Sequence, residues 1–391
     1  MGPATTVGLA WLLFGGTHVG LSTRAVRARL VARLGEAGFT AVYFLVATVT
    51  FTVLVGTYGA LRDAGAAGLG PAAVLQPALR PALIGVVAAG IVLAVAGVVP
   101  YPRSAYALFR TAAPSEPRGI ERITRHPFFA GTALLGVGHA LLASRLTGVV
   151  FFGGLALFAL VGAWHQDRKL LATRGAAHAA LLARTSLVPF AAIVAGRQRL
   201  VVGELPLGAI ALGGVGAWLL GGPAHAAIMA HGGAYVVLAV VGGGVLAALQ
   251  AWQREGLRGR GTAERLLGPA LVALGFVHAA VTLVVFPDAL SELGARGVAG
   301  AISADAPGAL MGAFCFAILA PVLVLLGWVT SHALVIGDRA LFTVLAWFFA
   351  GTGALGALII PLSGFWALLA IGVLMLRVGT PRSCNPADRA L

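Results

Sequence analysis

About eleven apolar runs, each of a length that can cross a hydrocarbon layer, constrain this chain more than any other feature. They lie at approximately 4–21, 39–61, 81–99, 127–143, 147–166, 205–221, 232–252, 266–286, 308–329, 340–360 and 364–377. In hydrocarbon a backbone N–H or C=O must find its partner within its own segment, so such runs fold as helices. The expected fold class is therefore all-α: a polytopic integral membrane protein, multi-pass, in the cell membrane. Composition agrees, with 59% hydrophobic and 10% charged residues in 391 and a mean hydropathy of +0.95. The fourth, fifth, sixth and last runs are short and read as tilted or partly re-entrant.

The formal charge of +14 invites a nucleic-acid reading, but its distribution argues otherwise. Of the 27 lysines and arginines, all but Arg62, Arg80, Arg145 and Arg296 fall in alternate loops. The positive-inside rule explains this and predicts an N-terminus outside and a C-terminus in the cytoplasm. Membrane lipid, not nucleic acid, is the expected partner. The first apolar run lacks a basic flank before it and is followed by arginines, so no cleavable signal peptide is expected. Cys315 and Cys384 are too few for a disulfide framework or a cysteine metal site. Cys384 lies too far from the end of the sequence for a prenylation box.

The texture changes along the chain. Residues 1–204 hold the longest basic loops and most of the polar motifs. Residues 205–265 read as two Gly/Ala-rich connecting helices and a basic linker, "QREGLRGRGTAER" (253–265). Four helices with short connections follow over 266–378, and 379–391 read as a cytoplasmic tail.

Two polar patterns stand out. Gly-x-x-His occurs three times, at Gly15/His18, Gly136/His139 and Gly275/His278. Residues i and i+3 share a helix face, so each glycine clears space one turn before an imidazole. A flat macrocycle needs such a gap, and neutral imidazole is a good axial ligand for haem iron. The plainer reading is a histidine bonded to a nearby carbonyl beside a glycine that serves helix packing. The second pattern is a polar group expected at the inner surface: Arg125, His126, His165, Asp167 and Arg168. There Asp167 is placed to fix the tautomer of an imidazole, or to pair with Arg125 or Arg168.

The runs "RITRHP" (122–127), "GHALL" (138–142), "WHQDRKL" (164–170) and "RTSLVPFAAIVAGRQRL" (184–200), with "FGGTHVGLSTR" (14–24), carry a resemblance. Over roughly residues 8–200 the chain resembles the 15-cis-ζ-carotene isomerases, which belong with the NnrU family of membrane proteins. Residues 266–378 resemble a small four-helix membrane domain without an assigned activity. The resemblance implies a haem b protein with two axial histidines that isomerises a hydrophobic polyene, served by a redox partner. It carries the ligands onto His18 and His139 and the cofactor face onto Gly136. The catalytic roles fall to His126, Asp167 and Arg168. The family's cysteine three residues before the second histidine is Gly136 here, which puts ligand switching in doubt.

Depth along the helices raises an alternative. His18 lies roughly 8 Å from the inner end of its run and His139 roughly 18 Å, at 1.5 Å per residue. Two ligands of one iron share a depth, so His126 or His165 stands as the other partner for His18. Two further readings stay open: a non-enzymatic NnrU-type protein of nitrogen-oxide metabolism, and a membrane methyltransferase. The latter rests on "RHPFFAG" and "QDRKLLATRGAAH", which have Gln166-Asp167 where such enzymes have paired glutamates.

Overall fold

The computed structural model describes residues 1–71, 78–98, 116–222, 225, 226, 228, 233–257, 260–296, 302 and 307–378. Residues 99–115 and the tail with Cys384 lie outside them. Among the described residues there is no strand, only an isolated bridge between Ala67 and Arg145. Among the described residues seven helices are long and apolar enough to cross a membrane, and four shorter apolar helices accompany them. The fifth apolar run is not short. It is a helix of 29 residues, Leu146–Arg174, because the backbone ladder continues for several polar turns past its apolar part.

The chain divides into two compact units, Met1–Ala234 and Tyr235–Leu391. The division falls inside the stretch that the sequence reads as connecting helices.

In the first unit, α1 (Pro3–Leu21) packs on α2 (Arg24–Leu61) and on α6 (Leu146–Arg174). Helix α3 (Leu79–Val98) packs on α5 (Pro127–Leu142) and on α9 (Leu207–Gly221), and α5 packs on α6. Short helices α4 (Ile120–Ile123), α7 (Ala176–Arg184) and α8 (Ala191–Val194) close one end. With no hydrophobic driving force between helices in lipid, small residues let backbones approach. A Cβ at Gly90 or Gly131 would meet backbone of the facing helix at 2.7 and 2.5 Å, which fixes the α3–α5 contact. Outward faces carry Leu12, Leu45, Val53 and Leu157, all exposed, as a lipid-facing surface requires.

Helix α1 runs alongside α6 in the same direction. Gly8 faces Val150, the Trp11 indole N–H donates to the Phe151 carbonyl at 3.0 Å, and Ser22 meets His165. Helix α5 runs against α6, with Phe129 beside Gly162, Gly136 beside Ala156 and His139 beside Phe152. One end of the unit thus gathers the 22–35 turn, the 119–126 segment and residues 165–206. The opposite end holds the α5–α6 turn and residues 62–71, joined by the Gly68 and Gly70 N–H groups donating to Ser144 and Ala143. Arg24, Arg27, Arg29, Arg33, Arg125, Arg168 and Lys169 lie at the first end, and Arg62 and Arg145 at the other.

The second unit is built from α10 (Ala234–Gly256), α11 (Thr262–Val285), α12 (Pro287–Arg296), α13 (Gly308–Ile336), α14 (Arg339–Ile359) and α15 (Phe365–Val378). Leu267, Leu271, Phe342, Phe349 and Met375 form its core. A Cβ at Gly275 would stand 2.8 Å from the Ala320 carbonyl oxygen, and the His278 Nε2–H donates to the Phe316 carbonyl at 2.9 Å. The plainer reading of Gly-x-x-His therefore holds at this third site.

Candidate functional site at the basic end

Pro127 opens α5 at its first helical turn, where a missing N–H costs nothing, and His126 becomes the cap residue. Arg125 and Thr124 precede it, Thr124 in extended backbone. They are held by the "TSLVPF" segment, which folds back on them. The Arg125 N–H donates to the Ser186 carbonyl, the Thr124 hydroxyl to the Leu187 carbonyl, and the Phe190 N–H to the Ile123 carbonyl. Arg197 then ties the segment down by donating to the carbonyls of Ala183 and Thr185. Arg122 grips Glu204 through two nitrogens, at 2.8 and 3.1 Å. That hydrogen-bonded guanidinium, helped by the Gly119 N–H, holds the Glu204 carboxyl down to about 2. The most distinctive stretch of the sequence is thus a clamp around RITRHP.

What the clamp aims is a carboxylate. Asp167, in the last turns of α6, accepts from Arg125 Nε at 2.8 Å through one oxygen. Its other oxygen accepts from His126 Nε2 at 2.8 Å and from His178 Nε2 at 3.2 Å. The two histidines and Asp167 are 3%, 1% and 7% exposed, so these charge-assisted bonds act with little water around them. Arg125 and Asp167 balance in charge. The Nδ1 atoms of the two histidines, and the Gln166 amide nitrogen beside them, are buried without a hydrogen-bond partner. On α7, burial pushes the His178 imidazole below its usual value, outweighing the opposite pull of Asp167.

The structure brings His126 and Asp167 together and leaves Arg168 out. The Arg168 guanidinium lies over the Trp164 ring at 4.8 Å, exposed. Arg125 makes the pair with Asp167 that the sequence allowed, His165 meets Ser22 instead, and His178 joins as a member the sequence did not suggest. His178 was hard to see from the sequence because Gly175, at φ 51° and ψ −127°, breaks the helix between it and Asp167. Only glycine adopts that conformation readily, so "RGAAH" marks a turn that folds an imidazole back onto the preceding helix.

The expected ligands lie elsewhere. His18 sits among Phe14, Tyr43 and Phe158, and its Nδ1 is buried with no hydrogen-bond partner. His139 stacks on Phe152 at 4.6 Å, and its Nδ1–H donates to the Leu135 carbonyl at 3.0 Å. Phe152 and Phe158 are six residues apart on α6, roughly 9 Å along the axis and on different faces. Gly136 offers no gap either. A Cβ there would stand 2.7 Å from the backbone of Ala156 and Phe152, so this glycine seats α5 on α6. Gly15 differs, meeting only Phe158 at an ordinary 3.7 Å. In this arrangement the residues do not fit one haem iron held between His18 and His139, although the buried, unpartnered Nδ1 of His18 is suited to a ligand. Among the described residues no group of three or more His, Cys, Asp or Glu side chains is placed to hold a metal ion.

An all-helical apolar scaffold with a buried ionic cluster at its basic end defines an integral membrane protein. Comparison with known families is more specific: the NnrU protein family matches residues 7–252, and the chain belongs to it. A family of unknown function (DUF6463) matches residues 262–382. The chain is 42% identical over 106 residues to the chloroplastic 15-cis-zeta-carotene isomerase of Zea mays, covering 26% of this chain and 29% of that protein. It is 38% identical over 104 residues to the Arabidopsis thaliana protein of the same name, covering 25% and 28%. The matched part thus spans less than a third of either relative. No solved structure matches.

Proposed function

We propose that this protein is a membrane-embedded cis–trans isomerase of a carotenoid-like polyene. The observation that carries the reading is its 42% and 38% identity to two plant enzymes named for that reaction, within a chain of the NnrU family. The geometry is compatible in two respects. Trp11, Phe14, Phe51, Phe151 and Phe158 form an aromatic group along α1, α2 and α6, a surface against which a conjugated hydrocarbon packs well. The Asp167 cluster ties the ends of α5, α6 and α7 with directed bonds, and α6 carries Phe151 and Phe158 of that surface.

Asp167 is not cast as the acid that protonates a polyene. Its two oxygens already accept from Arg125, His126 and His178. Its role is positioning. The eleven-helix topology with a cytoplasmic C-terminus completes the proposal. No comparison favours the nitrogen-oxide accessory reading or methyl transfer.

The test is co-expression in a bacterial host engineered to accumulate a 15-cis polyene in the dark. Isomers are separated by chromatography. The proposal expects the all-trans fraction to rise with the full-length chain. An unchanged isomer pattern, with the protein detected in the membrane, overturns it.

A further inference from the structure

We propose that residues 24–34 form a helix lying in the membrane plane that binds the headgroups of anionic phospholipids. Helix α1 and the 38–61 part of α2 are both long and apolar enough to cross a membrane, and they are joined by residues 22–37 alone. Both ends of that connection are therefore held at one membrane face. The connection is itself helical from Arg24, and it is separated from the span by Gly35, at φ 71° and ψ 170°. A side chain at Gly35 would be strained in that conformation, so the glycine marks a built corner.

The pattern on this short helix suits an interface. Val26, Leu30 and Leu34, spaced by four, make one apolar row. Arg29 and Arg33 flank it on one side and Arg24 and Arg27 on the other, at 100° per residue. Such an arrangement lets the apolar row sink to the acyl boundary while the guanidinium groups reach outward to phosphates. Arg27 is committed, pairing with Glu36 at 2.6 Å and lying over the Phe39 ring. Arg24, Arg29 and Arg33 are exposed and have no carboxylate partner among the described residues. Lys169 lies within electrostatic reach of Arg27 and His18, adding charge of the same sign. A one-signed patch at a membrane face is complemented by an anionic headgroup layer, with each arginine worth about a fivefold preference.

Native mass spectrometry of the full-length protein tests this, after equilibration in mixed micelles of equal phosphatidylglycerol and phosphatidylcholine. Wild type is expected to retain phosphatidylglycerol selectively. The Arg24→Gln/Arg29→Gln/Arg33→Gln variant should lose at least about tenfold of that preference, and the corresponding triple lysine variant should keep it. Should the glutamine triple not elute as a single folded species, Arg33→Gln alone is read, with about a fivefold loss. The proposal is overturned by equal retention of the two lipids in wild type or by full preference in the glutamine variants. Displacement of the preference by inorganic phosphate overturns it too, since the arginines then form a free-anion site. None of these outcomes depends on isomerase activity.

Discussion

Replacing Asp167 by asparagine is the sharpest perturbation of this protein. The new side chain keeps one carbonyl oxygen, which serves either the two histidines or Arg125. It turns an NH2 group toward the other side, donor against donor. Removing one partner of a buried ion pair costs about 3–5 kcal/mol when the other charge is left behind. The Arg125 side chain is 19% exposed and finds some water, so the lower part of that range applies, about 3 kcal/mol. For a unit of this size each kcal/mol moves the midpoint by about 2–4 °C, giving a fall of about 6–12 °C. The assay is thermal unfolding of the detergent-purified protein, followed by the loss of the monodisperse peak in size-exclusion chromatography. Arg125→Gln and His178→Gln should each fall by less, because Asp167 keeps its remaining donors. A midpoint within about 1 °C of wild type for Asp167→Asn, below even a single neutral hydrogen bond, refutes the reasoning.

Gly136→Ala should destabilise the first unit by about 1–3 kcal/mol, because its Cβ meets backbone that cannot move aside, whereas Gly15→Ala should be nearly neutral; thermal midpoints of the two variants check this. If Gly136→Ala proves harmless, that face is open after all. Acidification has a defined sign at His178: its folded value lies below the usual 6.5, so the unfolded chain binds the proton more readily. Stability from this group is present above about pH 6.5 and declines as the pH falls below it, and His178→Gln should flatten that part of the midpoint-against-pH curve. For haem b, oxidised and reduced absorption spectra should show any Soret band lost in His18→Ala and kept in His139→Ala. A band lost in both variants requires α5 to place His139 at the depth of His18.

The helices were legible because hydrocarbon allows few backbone solutions, and the described part of every apolar run coincides with a helix. The pairing of His126 with Asp167 was legible too, through Pro127 at a helix start and a carboxylate just past the apolar part of α6. His178 was not, because helical periodicity stops at Gly175 and its contact with Asp167 depends on the turn there. Arg168 was over-read: it adjoins Asp167 in sequence but, one residue on along α6, points about 100° away, onto Trp164. Gly136 shows the limit of motif reading in a glycine-rich membrane chain. The spacing that clears a face for a cofactor also seats one helix on another, and only the neighbouring backbone of Ala156 separates the two.

The most direct measurement of the central claim uses the purified full-length protein in lipid vesicles loaded with a 15-cis carotenoid, kept in the dark under oxidising and reducing conditions. Chromatography of the extracted pigment over time reads the isomer ratio. The account predicts conversion to the all-trans isomer above that in protein-free vesicles under at least one condition. Folded protein, verified by its thermal midpoint, that leaves the ratio at the protein-free level under both conditions contradicts it.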